Sequence, residues 1–270
     1  MGLNFIQFLI ISIIQALFEW IPVSSEGFVI LITVNFFNET VISAFTIAIY
    51  FHLGTALAVL IKYWKTYLDA LKTDRSILRF LIYATIGTAI IGIPLYLFIE
   101  EFFTIFNGLI ISAFIGIALI ITGTLLRLGK QYNLNEISMK NRKIIDELGV
   151  GLAQGFSVLP GISRSGTTMS YLLIRGYEKE DAFKMSFLIS LPAVLGIVAL
   201  DILKTVFIDN QSIAFDWTYL IYMGIVAVIG FFMMELLLRL ARKLSFDIIC
   251  YALAGITIFL VVIFYILIIL

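Results

Sequence analysis

Pro160-Gly161-Ile162-Ser163-Arg164-Ser165-Gly166-Thr167-Thr168 interrupts an otherwise apolar run over residues 148–176. A second run, residues 3–36, is interrupted in the same way by Pro22-Val23-Ser24-Ser25-Glu26-Gly27. The stretches on either side of each break hold roughly 10–17 residues, short at about 1.5 Å per residue for a hydrocarbon core of about 30 Å. Each run therefore reads as a re-entrant hairpin that enters the membrane, turns at mid-depth and leaves on the same side. Such non-helical backbone is tolerated where protein or a water-filled cavity covers it. A permanent cation such as Arg164 inside one of these turns is costly, and marks a functional site by default.

The rest of the chain supports a membrane setting. Of its 270 residues, 61% are hydrophobic and only 13% charged, with a mean hydropathy of +1.09; soluble domains carry about 25% charged residues. Apolar windows at about 43–61, 78–98, 107–127, 182–203, 217–238 and 248–270 are each long enough to span. The expected fold is an all-α polytopic membrane protein, a single membrane domain over 1–270. A formal net charge of zero argues against a nucleic-acid partner, whose phosphates demand a basic face. His52 is the only histidine, which excludes a His-rich metal site, and the lone Cys250 reads as a small core residue. The start, Met1-Gly2-Leu3-Asn4, has no basic region, so no cleavable signal peptide is expected.

Six spans and two hairpins put segments 62–79, 127–147, 175–184 and 239–247 on one side. All of the 18 Lys and Arg except Arg164 and Lys204 fall there. By the positive-inside rule that side is cytoplasmic and both termini lie outside, as expected of a multi-pass plasma-membrane protein. A constant offset of 138 residues carries Pro22 to Pro160, Ser25 to Ser163, Leu53 to Leu191 and Ile91-Gly92 to Ile229-Gly230. Approximate halves 1–130 and 145–270 then each hold one hairpin and three spans. An odd number of crossings inverts the second half relative to the first, the arrangement in which broken helices meet at the midplane and form a ligand site.

The residues at the two turns suit an oxyanion. Arg164 can bind a phosphate bidentately, Ser163, Ser165 and Thr168 can donate hydroxyl protons, and Gly161 and Gly166 allow backbone amides to approach from a helix N-terminus. Gln15 and Glu19, four apart, share a helix face that runs into the break at Pro22. A glutamate there faces a wet cavity or a bound cation rather than lipid. Plainer readings stay open beside these. Ser24-Ser25 and Gly161 also suit close helix packing, and Arg164 also suits an ion pair with Glu19 or Glu26. Glu26 suits a polar hairpin tip, and His52 a buried hydrogen-bonding residue as well as a base.

Pro160 to Thr168 matches P-G-x-S-R-S-G-x-T, the second signature of the undecaprenyl-diphosphatase family, at every specified position. Glu19-Trp20-Ile21-Pro22-Val23-Ser24-Ser25-Glu26-Gly27 resembles the first, E-G-x-T-E-F-[LI]-P-V-S-S-x-G-H, and His52-Leu53-Gly54-Thr55-Ala56 is similar to a further family element. The resemblance covers essentially the whole chain. It implies removal of the terminal phosphate from a polyprenyl diphosphate of undecaprenyl or dolichyl type, giving the monophosphate carrier of cell-envelope or glycan assembly. It further implies Ser25 as nucleophile, Arg164 as phosphate clamp, and Glu19 as activator of the nucleophile. Ser24, Gly161, Ser163, Ser165 and Thr168 would bind substrate, and Glu19 with Gln15 would hold a divalent cation, Mg²⁺ or Ca²⁺. Two positions depart from the pattern: Gln15 stands in place of the first glutamate and Phe28 in place of the histidine. Glutamine brings neither charge nor base, and phenylalanine neither proton transfer nor a hydrogen bond.

The leading expectation is thus a membrane-embedded polyprenyl-diphosphate phosphatase acting on a lipid substrate. A carrier or binding protein for polyprenyl phosphate or phosphate is the alternative, since broken helices at mid-depth also serve transport. A homodimer is compatible with the sequence, which does not specify an oligomeric state.

Overall fold

A computed structural model describes residues 3–105, 108–132, 137–208, 217–240 and 245–269. Among these, the chain forms ten α-helices and no strand beyond an isolated bridge between Ile137 and Tyr177. They are α1 (Phe5–Phe18), α2 (Ser25–Asn35), α3 (Val41–Lys72), α4 (Arg75–Ile105), α5 (Gly108–Tyr132), α6 (Ile144–Gly155), α7 (Arg164–Ile174), α8 (Lys179–Leu203), α9 (Thr218–Leu240) and α10 (Phe246–Ile269). Six of them, α3, α4, α5, α8, α9 and α10, are long and apolar enough to cross a membrane. They coincide with the six apolar windows of the sequence. Part of the basic charge expected on the cytoplasmic side, Arg242 and Lys243, lies outside the described residues.

The other four helices are short. At about 1.5 Å per residue the 14 residues of α1 and the 12 of α6 reach about 18–21 Å, and the 11 of α2 and α7 about 16 Å, all less than a hydrocarbon core. Each pair is separated by the break seen in the sequence, and each second helix starts on a serine cap. Ser24 Oγ accepts from the Gly27 amide and Ser163 Oγ from the Gly166 amide. These caps satisfy amides that the helix itself leaves without acceptors. In structure Ser163 is matched by Ser24 rather than Ser25, one residue off the sequence offset.

α3 runs well past its apolar window, to Lys72, and bends at Tyr63, whose φ of −114° and ψ of 20° are not helical. Next to the bend Trp64 is 50% exposed, as suits an aromatic anchor at the membrane interface. Lys62 on α3 pairs with Glu235 on α9, which also holds Arg239 one turn along. At the start of α6 the buried Glu147 accepts from Arg79 and is ion-paired with Arg142, while Asp146 accepts from Arg175 and from the Tyr177 hydroxyl. Burial pushes the Tyr177 phenol above its ordinary value, and the Asp146 carboxylate pushes it further. These bonds fasten α6 and α7 to α4 and to the approach to α8.

α4 and α6 touch backbone to backbone. A Cβ on Gly151 would strike the Ala84 carbonyl oxygen, and one on Gly155 would lie 2.6 Å from Ile91 Cβ and 2.9 Å from the Thr88 oxygen. Small residues four apart are what lets membrane helices approach this closely. Gly151→Leu is therefore expected to separate α4 from α6 and abolish the folded protein, read as loss of the monodisperse peak in detergent gel filtration. Retention of that peak with an unchanged melting temperature would contradict this packing.

Candidate active site

The two breaks meet. The Gly161 amide donates to Ser24 Oγ at 3.1 Å, and a Cβ built on Gly27 would lie 3.1 Å from the Gly161 nitrogen. Only glycine serves at 161, where φ is +91°. Ser24 itself is left-handed, with φ of 62°, a conformation that costs a non-glycine residue on the order of 1–3 kcal/mol. Its Oγ accepts from both Gly27 and Gly161, so the strained residue binds one tip to the other. From the last span, Cys250 Sγ donates to the Pro22 carbonyl and braces the first tip.

Glu19, at the end of α1, is the centre of the assembly and is only 5% exposed. One carboxylate oxygen, Oε2, accepts from Ser25 Oγ at 2.6 Å and from Gln15 Nε2 at 2.8 Å, and faces His52 Nε2 at 3.2 Å. The other, Oε1, accepts from Arg164 Nη2 at 2.7 Å. The histidine's second nitrogen, Nδ1, lies 2.6 Å from the Ala48 carbonyl. A carbonyl only accepts, so Nδ1 carries a proton and Nε2 faces the Glu19 carboxylate. Ser25 thus has a carboxylate in hydrogen-bond contact with its hydroxyl, the geometry required of a nucleophile and its base.

Arg164 spends one nitrogen on Glu19. Its Nε and Nη1 are buried with no partner, in a side chain that lines the cavity. Buried donors are rarely left unmatched, and a charged guanidinium with open N–H groups is a ready partner for a phosphate. The cavity is about 290 Å³ and has Glu19, Ser24, Ser25, Glu26, His52, Ser163 and Arg164 at its polar end. Glu26 contributes a further buried oxygen, Oε1, with no partner.

The structure thus gathers Ser25, Glu19, Arg164, Ser24 and Ser163 around one cavity. Gln15, Gly161, Ser165 and Thr168 stand behind it rather than on its wall. Gln15 is bonded to Glu19, and Ser165 Oγ sits 3.2 Å from Ser163 Oγ. Thr168 Oγ1 bonds Ser186 Oγ at 2.7 Å, and the Gly161 amide is taken by Ser24. Phe28 stacks on Phe18 with ring centroids 4.8 Å apart, so position 28 packs in the hydrophobic interior. His52 is the residue that sequence reasoning did not place. Its signal was a titratable ring in mid-span, but nothing in the spacing aims α3 at the end of α1.

The sequence profile of the bacitracin resistance protein BacA matches residues 8–259. An undecaprenyl-diphosphatase of Methanothrix thermoacetophila is 38% identical over 254 residues, 93% of this chain and 95% of the relative. One of Methanopyrus kandleri is 37% identical over 254 residues, 91% of each chain. A third, of Carboxydothermus hydrogenoformans, is 36% identical over 244 residues, 89% of this chain and 90% of the relative.

Proposed function

The chain belongs to the bacitracin resistance protein BacA family, and from that premise we propose that it hydrolyses a polyprenyl diphosphate within the membrane. The products are the polyprenyl monophosphate and inorganic phosphate, and the substrate is of the undecaprenyl type named for its relatives. The observation that carries this reading is the contact of Ser25 Oγ with Glu19 beside the two open donors of Arg164.

Each group then has a part. The open donors of Arg164 hold the terminal phosphate and draw charge from its non-bridging oxygens. Ser25 Oγ attacks the terminal phosphorus as its proton passes to Glu19 Oε2. The bond from that phosphorus to the bridging oxygen breaks, and its electron pair leaves with the polyprenyl monophosphate. Water then cleaves the phosphoserine, giving inorganic phosphate and restoring the serine hydroxyl.

A divalent cation, Mg²⁺ or Ca²⁺, is part of the same proposal. Both oxygens of Glu19 already accept from protein donors, and no cluster of three His, Cys, Asp or Glu able to hold a metal occurs among the described residues. Among the described residues two acceptors on the cavity wall have no hydrogen-bond partner, Glu26 Oε1 and Gln154 Oε1, and of the two only Glu26 is a carboxylate. Glu26 and the diphosphate's own oxygens would hold the cation, which would neutralise phosphate charge there.

The short paired helices are re-entrant hairpins in this reading. They belong to inverted halves whose tips meet at the midplane, with the basic loops in the cytoplasm and both termini outside. The four short helices and the touching tips support it. The reaction is tested by phosphate release from a C55 polyprenyl diphosphate, with and without divalent cation. Ser25→Ala is expected to lower it by about 10³-fold or more while substrate still binds. Full activity in Ser25→Ala removes the serine from the reaction, and tight binding with no release by the native protein favours the carrier.

A further inference from the structure

The polar cavity continues into a long apolar one. Beyond Ser25 and Arg164 its walls include Ala89, Gly92 and Ile93 on α4 and Ala193, Gly196 and Leu203 on α8, and they also take in Thr88, Gln154 and Ser157. The α8 stripe starts at Pro192 and covers about 16 Å of helix by Leu203. At its far end the cavity reaches the outer surface of the bundle, where Ile93 is 43% and Leu203 52% exposed. On spanning helices that surface faces lipid. The seam is also roomy: a Cβ on Gly196 would meet nothing within 4 Å, and one on Gly92 nothing nearer than 3.6 Å.

One polar bond crosses the seam. The buried Tyr96 on α4 donates its hydroxyl to Asp201 on α8 at 2.6 Å. A carboxylate at membrane depth is costly and is kept where it acts. Here it links the two helices beside the apolar end of the cavity, near Leu203.

We propose that the α4–α8 seam is the lateral portal and binding groove for the isoprene units next to the diphosphate, with Tyr96–Asp201 as the tie that sets its width. The inference rests on the substrate being a polyprenyl diphosphate. A chain this apolar must stay in lipid while its head reaches Arg164, and a slot open from the bilayer to the head-group site satisfies both demands. The occupant is fixed by continuity: the groove ends on the groups that hold the phosphate.

The test compares a C55 polyprenyl diphosphate with a C10 prenyl diphosphate, using purified full-length protein in lipid nanodiscs. Gly196→Trp fills the groove without striking backbone, and is expected to lower the long-to-short ratio of kcat/KM by about tenfold or more. In parallel, a C55 diphosphate probe with a diazirine on its first isoprene units is cross-linked to the native protein and mapped by mass spectrometry. Labelling of α4 within 85–96 and α8 within 192–203 is the expected result. An unchanged ratio, or labelling confined to other helices, overturns the portal. Seam labelling by a native protein that releases phosphate from neither substrate leaves the portal standing and overturns the hydrolytic reading instead.

Discussion

Arg164→Ala is expected to reduce phosphate release by about 10³-fold or more, because it removes the only guanidinium on the cavity wall among the described residues and with it the charge that meets the transferring phosphoryl group. The loss has two sources. The phosphate forfeits the open donors at Nε and Nη1, and Glu19 forfeits the cation that holds Oε1. Removing one member of a buried ion pair leaves the other uncompensated, at a cost of about 3–5 kcal/mol. Arg164→Ala is therefore also expected to melt earlier in detergent. Arg164→Lys keeps the charge but not the array of N–H donors, so it should regain stability before it regains rate. Measured together, phosphate release and melting separate the two sources. A stable Arg164→Ala protein with near-native release would remove arginine from the reaction.

Glu19→Gln is expected to lower the rate by about 10²–10⁴-fold while leaving affinity for a non-hydrolysable diphosphonate analogue intact or improved. The amide keeps the shape of the carboxylate but cannot take the Ser25 proton. It also removes the negative charge that neutralises Arg164, so more of the guanidinium's charge is felt by the ligand. The split between kcat and binding is the diagnostic result. Affinity that collapses together with the rate would mean that Glu19 acts by holding the ligand or a cation, and not as a base.

The sequence carried the skeleton of this site and little of its wiring. Six spans were legible because each apolar window exceeds what a bilayer needs, and the two breaks because proline and glycine punctuate runs that otherwise would continue as helix. Arg164 was legible from its cost. The continuation of α3 to Lys72 was not, since a helix with charged residues beyond the membrane gives no hydropathy signal. Nor was the contact of His52 with Glu19, which depends on how α3 crosses the end of α1. Phe28 shows the same limit from the other side. A departure from a motif reads as a gap in the chemistry until the side chain is seen stacked on Phe18. The choice of Ser24 as the strained cap, leaving Ser25 free to face Glu19, lies within a one-residue ambiguity that only backbone dihedrals resolve.

The bond between Ser24 and Gly161 joins parts of the chain that leave the ribosome far apart in time. When α1, α2 and α3 have been made, Glu19 already has Gln15, Ser25 and His52 around it, but Arg164 has not yet been synthesised. The nascent membrane segment therefore carries a carboxylate that no arginine balances, and a hairpin tip whose partner is still to come. Domains that close through distant contacts form late and are exposed to misassembly meanwhile. In this protein the candidate site is completed only when α7 arrives, with three of the six spans already made and three still to come.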